Sequence, residues 1–368
     1  MASPSLPSWI ILHKFVGVAL SGHLQAEDFY LFPDTPPRLS HFKIPVGEQV
    51  PDDPRVLCAD LSAGLFLLRT NGYAVLSTVS RTVEPVRPRR ADDPAVLGVI
   101  SCNGRSMVVG LEYKRSSPKA RLHYYLNLGA GAGAGAAWTT KEVDNPLLPL
   151  GLTGNFISKD VIAHDGRLWW VSDSNNAAAA GLLSCDPSAD NPQLVFSAGS
   201  DLLGHCQHHP CSKIPRADRR CVQVADGKLR WVQILCEHTL PRGSGEAPAV
   251  CVLTLDDHTA QWTRSEDRHL MSFADVWNDD SYKRTPLPRK EPAIALIDPG
   301  KLFGFDTVYF SLDRYLFGVD MVTKKVVDGP HRQGMMLDSE DSSSPLLPWV
   351  VPSELRSYLL EAVAPLVV

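Results

Sequence analysis

Short apolar runs, each ended by a polar or glycine-containing turn, recur along the whole chain and predict strands rather than long helices. Three of the turns are tight: Asn103-Gly104, Asp165-Gly166 and Asp226-Gly227. An apolar strand follows each of them, as in Arg167-Leu-Trp-Trp-Val171. A type I′ turn needs positive φ at both central residues, which Asn, Asp and Gly tolerate best, so each pair predicts a β-hairpin. The pairs recur about every 60 residues, with a looser fourth copy at Asp298-Pro299-Gly300.

A second kind of hairpin joins an apolar strand to one that opens with an aromatic or β-branched residue. The clearest copies run from Tyr124–Leu128 to Trp138 and from Cys251–Leu255 to Trp262, and the two tryptophans are separated by twice the interval of the tight turns. Weaker copies run from Phe29–Phe32 to Phe42, from Tyr73–Leu76 to Val83, from Gly181–Cys185 to Leu194–Phe196, and from Tyr315–Val319 to Val326-Val327. Two further turn signals, Asn71-Gly72 and Asp328-Gly329, fall off the period.

Six units of about two hairpins each predict an all-β fold, a six-bladed β-propeller over residues 9–337. A single four-stranded blade cannot bury both of its faces, whereas blades arranged radially pack on one another. The alternative is a pair of β-sandwiches or a barrel in which Asp-Gly turns recur by chance.

The segments outside this region differ in composition. Residues 1–8 are predicted to be a disordered N-terminus and residues 338–351 an acidic, serine-rich linker. Residues 352–368 are predicted to form a short C-terminal helix and tail, which Pro352 opens. That helix either packs against the body or docks a partner, through one apolar stripe of Leu355, Tyr358, Leu359, Ala362 and Val363.

Composition and charge narrow the classes of function. The 368 residues carry 36 basic and 41 acidic side chains, a net charge of −5, which gives no strong field to attract nucleic acid or an anionic membrane. The apolar stretch Trp9–Leu20 is interrupted by His13 and Lys14 and is too short to span a bilayer. The eight cysteines lie mostly in strand-like runs, as buried free thiols do. We therefore expect an intracellular monomer, in the cytoplasm or the nucleus, with no nucleic-acid or membrane partner.

Several of these segments, in this order, resemble a known family. They are Trp9-Ile-Ile-Leu12, the strand after Asp165-Gly166 with Gly181–Asp186, the run Arg220–Val232, and Val252–Leu255 with Trp262. Over nearly its whole length the chain is similar to the plant family called domain of unknown function 1618, which is abundant in grasses.

The resemblance implies blades like those of kelch-like and F-box-associated propellers, which act by binding. It implies no established activity, cofactor or catalytic residue. One departure is that Asn175–Ala180 is small and polar, where family members often have an aromatic-rich stretch. A binding surface formed by that stretch would be altered in this chain.

The best candidate for a metal site is a His/Cys-rich window. Zinc takes four nitrogen or sulfur ligands in a tetrahedron, and the window offers six candidates: His205, Cys206, His208, His209, Cys211 and Cys221. The spacing matches no standard zinc knuckle, and Cys221 falls in a predicted strand. A polar loop between blades is the alternative interpretation, and no cofactor is expected.

Other chemistry has less support. The sequence contains no Gly-x-Ser-x-Gly, no Walker A motif and no His-Glu-x-x-His. Four acidic pairs fall in predicted turns, where Asp caps its own backbone, although paired carboxylates also bind calcium; they are Asp52-Asp53, Asp92-Asp93, Asp256-Asp257 and Asp279-Asp280. Basic clusters at Arg87–Arg90, Lys283-Arg284 and Arg289-Lys290 indicate solvated loops or a nucleic-acid contact. The tryptophans at 169, 170 and 231 are expected mostly in the core.

The sequence is compatible with three hypotheses about function. The favoured one is a non-enzymatic scaffold or recognition module with a protein partner, because loops on a rigid propeller recognise ligands without catalytic groups. The second is a metal-dependent hydrolase-like enzyme with its metal in the central channel. The third is a small-molecule or carbohydrate sensor that uses exposed tryptophans.

Overall fold

The fold was analysed in a computed structural model. It describes residues 9–14, 16–19, 30–32, 36, 38–45, 54–70, 72–80, 82–87, 96–113, 117–128, 137–152, 156, 158–172, 180–199, 219–235, 247–256, 261–264, 270–299, 307–313, 315–332, 346–352 and 356.

The described strands fall into six small sheets. The first strands are β1 (Trp9–His13), β2 (Gly17–Ala19), β3 (Tyr30–Phe32) and β4 (Leu39–Pro45). The second sheet contains β5 (Arg55–Asp60), β6 (Leu65–Arg69), β7 (Tyr73–Ser77) and β8 (Thr82–Val86). The third contains β9 (Val96–Cys102), β10 (Arg105–Tyr113), β11 (Lys119–Leu128) and β12 (Trp138–Asp144).

The second half of the chain continues the pattern. The fourth sheet contains β13 (Ser158–His164), β14 (Arg167–Ser172), β15 (Gly181–Cys185) and β16 (Val195–Ala198). The fifth contains β17 (Arg220–Ala225), β18 (Lys228–Leu235), β19 (Ala249–Leu255), β20 (Trp262–Arg264) and β21 (Met271–Ser272), which are followed by helices α1 (Phe273–Asn278) and α2 (Asp280–Lys283). The sixth contains β22 (Ala293–Ile297), β23 (Thr307–Leu312), β24 (Tyr315–Asp320) and β25 (Val326–Arg332). The last strand, β26 (Leu346–Val350), joins β1–β4 in the first sheet.

The six sheets are the blades of a six-bladed β-propeller, which confirms the predicted fold class. In blades 2, 3, 4 and 6 four consecutive strands pair in chain order as antiparallel neighbours, and blade 5 follows the same order with β21 added beside β19. The second kind of hairpin predicted from the sequence is the outer pair of strands in each blade. It forms β11–β12 and β19–β20 at the two clearest copies.

The tight turns adopt the predicted left-handed conformation. Asn103, Asp165 and Asp226 have φ values of 52°, 49° and 54°, and the glycine that follows each is also at positive φ. Each turn joins the first two strands of its blade. The fourth copy differs, because β22 and β23 are joined by the longer connection 298–306. Asp328-Gly329 is not a turn either: it lies inside β25, where the pairing with β24 is irregular.

The ring is closed by a strand from the far end of the chain. β26 pairs antiparallel with β1, from Trp9 opposite Val350 to His13 opposite Leu346. In the same blade β1 runs parallel to β4, with Ile11 opposite Leu39. The propeller therefore extends past residue 337, and the segment predicted as a linker over 338–351 contains a strand. Its Leu346 and Trp349 are buried, so this apolar end belongs to the core.

Apolar side chains fill the spaces between neighbouring blades. Between blades 1 and 2, Trp349 packs on Phe66 with ring centroids 5.1 Å apart. Between blades 6 and 1, Trp9 packs on Tyr309 at 5.8 Å. Blades 3 and 4 approach so closely at Gly98 that a Cβ there would lie 2.8 Å from a methyl group of Val161. These contacts hold the inner strands around a central axis.

Candidate functional site

The inner strands surround a cavity of about 460 Å3 on the propeller axis. Most of its lining comes from β5, β13, β17 and β26, with smaller contributions from β14, β18 and Pro299, which follows β22. Side chains alternate along these strands because successive residues point to opposite faces. On β17, Val222 and Val224 are half-buried and line the cavity, whereas Cys221, which borders it, and Ala225 are buried in the apolar cluster between blades 5 and 6. Alternate side chains of the inner strands therefore form the wall of the cavity.

The middle of the cavity is apolar. Its wall there is formed by Leu57 of β5, Ile162 of β13, Val222 and Val224 of β17, and Leu347 of β26. We call these five residues the apolar collar. Gln223, between Val222 and Val224, also borders the cavity, but it is buried and its amide oxygen accepts a hydrogen bond from Ile297 N at 2.7 Å. The collar favours contact with apolar surface over contact with water.

A charged group closes the collar at the end where the inner strands begin. Lys14 directly follows β1, and its carbonyl accepts a hydrogen bond from Val56 N at 2.7 Å. Its Nζ lies 3.1 Å from Asp160 Oδ2, so the ion pair joins blades 1 and 4, which are not neighbours in the ring. The Lys14 side chain is 17% exposed and that of Asp160 42%. Arg220 lines the same end, with its guanidinium carbon 5.9 Å from the centre of the Trp231 ring.

The opposite end, where the inner strands finish, carries acidic groups. Asp165 and Asp226 occupy the tight turns that line this end, beside His164. Both aspartates are exposed, and Asp226 Oδ2 lies 3.8 Å from Arg230 Nη2. The described charged lining therefore has two cations and one carboxylate at the start of the inner strands, against two carboxylates at their end. The cavity is polarised along its axis.

Two cysteines border the cavity as protonated thiols. Burial raises the pKa of Cys58 to about 12; a backbone hydrogen bond with Val99 opposes this rise, and the Asp160 carboxylate adds to it. Burial also raises the pKa of Cys221 to about 12, with a further rise from Asp160. Since the thiolate is the nucleophile and the metal ligand, both groups behave as small apolar side chains at neutral pH.

The predicted His/Cys metal site stays a prediction. His205, Cys206, His208, His209 and Cys211 lie outside the described residues, and only Cys221 is placed, buried on β17. Within the described ranges, no three side chains of His, Cys, Asp or Glu come together in a group that could hold a metal ion.

The acidic pairs that the structure describes serve local backbone structure, as the turn interpretation predicted. Asp279 caps α2 by accepting a hydrogen bond from Ser281 N at 2.7 Å, and hydrogen bonds to Ser281 hold the pKa of this carboxyl below its usual range. Asp280 pairs with Lys283 at 3.2 Å. Asp52, Asp53, Asp92, Asp93 and Asp257 lie outside the described residues.

The basic clusters and the tryptophans have different environments. Lys283, Arg284, Arg289 and Lys290 are exposed around α2, as solvated groups are, and Arg89 and Arg90 lie outside the described residues. Trp169, Trp170 and Trp231 are buried, which confirms their predicted place in the core. Of the eight tryptophans, Trp138 and Trp277 are half-buried and the other six are buried. A sensor that relies on fully exposed tryptophans therefore loses its support.

Sequence reasoning did not identify the cavity-lining residues. The alternation of Arg220, Val222 and Val224 was visible in the sequence, but it did not show which face of the strand meets the axis. The ion pair had no local signal at all, because Lys14 and Asp160 are 146 positions apart.

Comparison with known families supports the resemblance over part of the chain. Residues 177–312 match a family described as "Protein of unknown function (DUF1618)". The match begins four residues before β15 and runs to the end of β23. No curated protein matches the chain. In the described part of the chain, neither helix is long and apolar enough to cross a membrane.

Solved structures share only a distant likeness. YjhT has 9% identity and a TM-score of 0.37, over 94% of this chain and 99% of that one. Prolyl oligopeptidase B from Galerina marginata has 11% identity and a TM-score of 0.36, over 76% of this chain. An endo-arabinase from Bacteroides thetaiotaomicron has 11% identity and a TM-score of 0.32, over 79% of this chain and 96% of that one. This chain spans only 34% of the Galerina marginata protein. The propeller assignment rests instead on the strand pairing of the chain itself.

Proposed function

We propose that this protein is a non-enzymatic recognition module that binds a small molecule in its central cavity. The observation that carries the proposal is the apolar collar, enclosed by the inner strands and bordered by charged groups at both ends. The protein partner expected from the sequence stays a prediction.

The size of the cavity supports a small ligand. Pockets for small molecules usually measure about 300–1,000 Å3 and combine apolar walls with a few polar groups that orient the ligand. The cavity of about 460 Å3 lies within that range. Its polar groups stand at the ends of the collar, so an apolar body in the collar would leave the polar parts of a ligand beside them.

The protonation and the hydrogen bonds of the polar groups around the cavity favour ligand binding over catalysis. Cys58 and Cys221 stay protonated, so neither supplies a thiolate nucleophile. The Gln223 amide holds blade 5 against blade 6 through its bond to Ile297. Asp60, at the end of β5, is buried and accepts hydrogen bonds from Ser62 Oγ and the backbone N of Ala63 and Ser101. These groups hold blades and turns in place.

Filling the collar should abolish binding. The probe is N-phenylnaphthylamine, a neutral apolar fluorophore, titrated into the wild-type protein and into Val222→Trp. We expect the wild type to bind one probe per chain with enhanced fluorescence, and we expect the variant to bind it about tenfold more weakly or not at all, because the indole occupies the collar.

The matched control places the same residue on the surface. Val327 of β25 is 52% exposed, so Val327→Trp adds an indole away from the cavity. It should bind the probe like the wild type. Circular dichroism and thermal melting check that both variants fold, and Ile162→Phe is the milder substitution if Val222→Trp does not. Equal probe binding by the folded collar variant and the control would refute the proposal.

A further inference from the structure

We infer that the ligand of the central cavity is an amphipathic anion, with its apolar body in the collar and a carboxylate or similar head group beside Lys14 and Arg220. This inference rests on the proposed function and adds the chemical class of the ligand and its orientation.

The first argument is the polarity of the cavity along its axis. The described lining at the start of the inner strands has two cationic side chains, Lys14 and Arg220, and one carboxylate, Asp160. The lining at the other end has Asp165 and Asp226, and of these two carboxylates Asp226 lies 3.8 Å from the Arg230 guanidinium. An anionic head group is attracted to the first end and repelled from the second, so a ligand with one anionic end has one favoured orientation.

The second argument is the hydrogen-bonding capacity of Lys14. An ammonium group has three N–H donors. Lys14 Nζ contacts the two carboxylate oxygens of Asp160 at 3.1 Å and 3.4 Å, and both oxygens lie on one side of the ammonium. Donor capacity therefore remains for a second acceptor. A carboxylate that approaches from the collar can share the ammonium with Asp160.

The third argument is the difference in burial between the two ends. The Lys14 side chain is mostly buried, whereas Asp165 and Asp226 lie in exposed turns. A charge interaction is stronger where water is excluded and weaker where the groups are solvated. An anion at the Lys14 end therefore gains more than a cation at the opposite end, which favours an anionic ligand over a cationic one.

The experiment uses three probes that share one tail and differ in head group. Decanoate, decanol and decylamine are titrated by isothermal calorimetry into the intact protein at neutral pH and low salt. We expect decanoate to bind about tenfold more tightly than decylamine, with decanol between them, because a charge-assisted hydrogen bond is worth about 1.5–3 kcal/mol and 1.4 kcal/mol is a factor of ten in affinity.

Two substitutions of the ion pair should act in opposite directions. Lys14→Met keeps the aliphatic stem and removes the charge, so decanoate should bind several-fold more weakly. Asp160→Asn removes the competing carboxylate, so decanoate should bind more tightly. Lys119→Met is the matched control, because the exposed side chain of Lys119 on β11 pairs with that of Asp144 on β12 at 2.6 Å, and no described residue of blade 3 is among those that line the cavity. It should leave the affinity for decanoate unchanged.

The outcomes separate the two proposals. If all three probes bind equally, or decylamine binds best, and Val222→Trp abolishes binding, the cavity is a ligand site but the anionic preference is wrong. The same holds if Lys14→Met and Asp160→Asn shift the affinity for decanoate in the same direction. If no probe binds, or binding persists in Val222→Trp, the proposed function fails and the inference fails with it.

Discussion

Each of the three tight turns between inner strands has two consecutive residues at positive φ. Gly166 has φ of 68° in the turn between β13 and β14, with no atom near the position of a Cβ. A substitution there is therefore opposed by backbone strain alone. Gly72, between β6 and β7, also has open space, but its φ is not in the left-handed region.

This contrast gives a prediction about turn strain. Gly166→Ala should lower the free energy of unfolding by about 1–2 kcal/mol, the usual cost of left-handed backbone for a residue with a Cβ. Gly72→Ala should leave it within about 0.5 kcal/mol of the wild type. Urea unfolding measures both. An equal loss of unfolding free energy in the two variants would show that the positive φ of Gly166 does not cause the destabilisation.

The buried thiols make stability depend on alkaline pH. Cys58 and Cys221 have a pKa raised to about 12 in the fold, against a value near 9 for a free thiol. Between these values the unfolded chain loses thiol protons that the folded chain retains, so the folded state is destabilised as the pH rises. The free energy of unfolding should fall by about 1 kcal/mol per thiol between about pH 8 and pH 10.

Urea unfolding across that pH range tests this expectation. Other groups also titrate there, among them Tyr282, whose pKa burial raises to about 12. The double variant Cys58→Ala with Cys221→Ala isolates the thiols, since it should unfold with a shallower pH dependence than the wild type. Identical slopes would mean that the two thiols ionise as readily in the fold as in the unfolded chain.

At the scale of strands, β26 holds the ring closed. Trp349 is fully buried among Phe42 and Phe66, and its indole N–H donates to the carbonyl of Leu61 in blade 2 at 3.3 Å. Its neighbour Val350 is 45% exposed on the same strand. One strand thus offers a buried and an exposed position for comparison.

Truncating the buried Trp349 should strongly destabilise the packing of β26 that closes the ring. Trp349→Ala should lower the free energy of unfolding by about 3–5 kcal/mol, because it leaves a cavity between blades 1 and 2. Val350→Ala should cost no more than about 0.5 kcal/mol. Thermal and urea unfolding measure the difference, with Trp349→Phe as the milder variant if Trp349→Ala does not fold. Similar small losses at both positions would show that β26 contributes little to closure.

Elements were predictable where their signals are local. The hairpin turns at Asn103-Gly104, Asp165-Gly166 and Asp226-Gly227 are specified by two residues each, and all three are present. β26 was missed, because its pairing with β1 depends on contacts between the two ends of the described chain. Helices α1 and α2 were missed as well, since they contain six and four residues and are too short for a helical period.

At the scale of the whole molecule, the number of blades followed from the repeat, but the nature of the central site did not. A repeat of about 60 residues fixes how many inner strands surround the axis. It does not fix which side chains meet there, because the inner strands approach one another only after all blades have packed. The apolar collar draws residues from four blades. It is a property of the closed ring.

The closure by β26 also has a consequence for how the protein is made. More than 300 residues separate β1 from Leu346, and a ribosome adds them at about 5–20 residues per second. For a period on the order of half a minute, the nascent first blade exposes the edge of β1 and the apolar groups that Trp349 later covers. The ring is completed only after β26 has been synthesised, so we expect a chaperone that shields strand edges to bind the unfinished first blade.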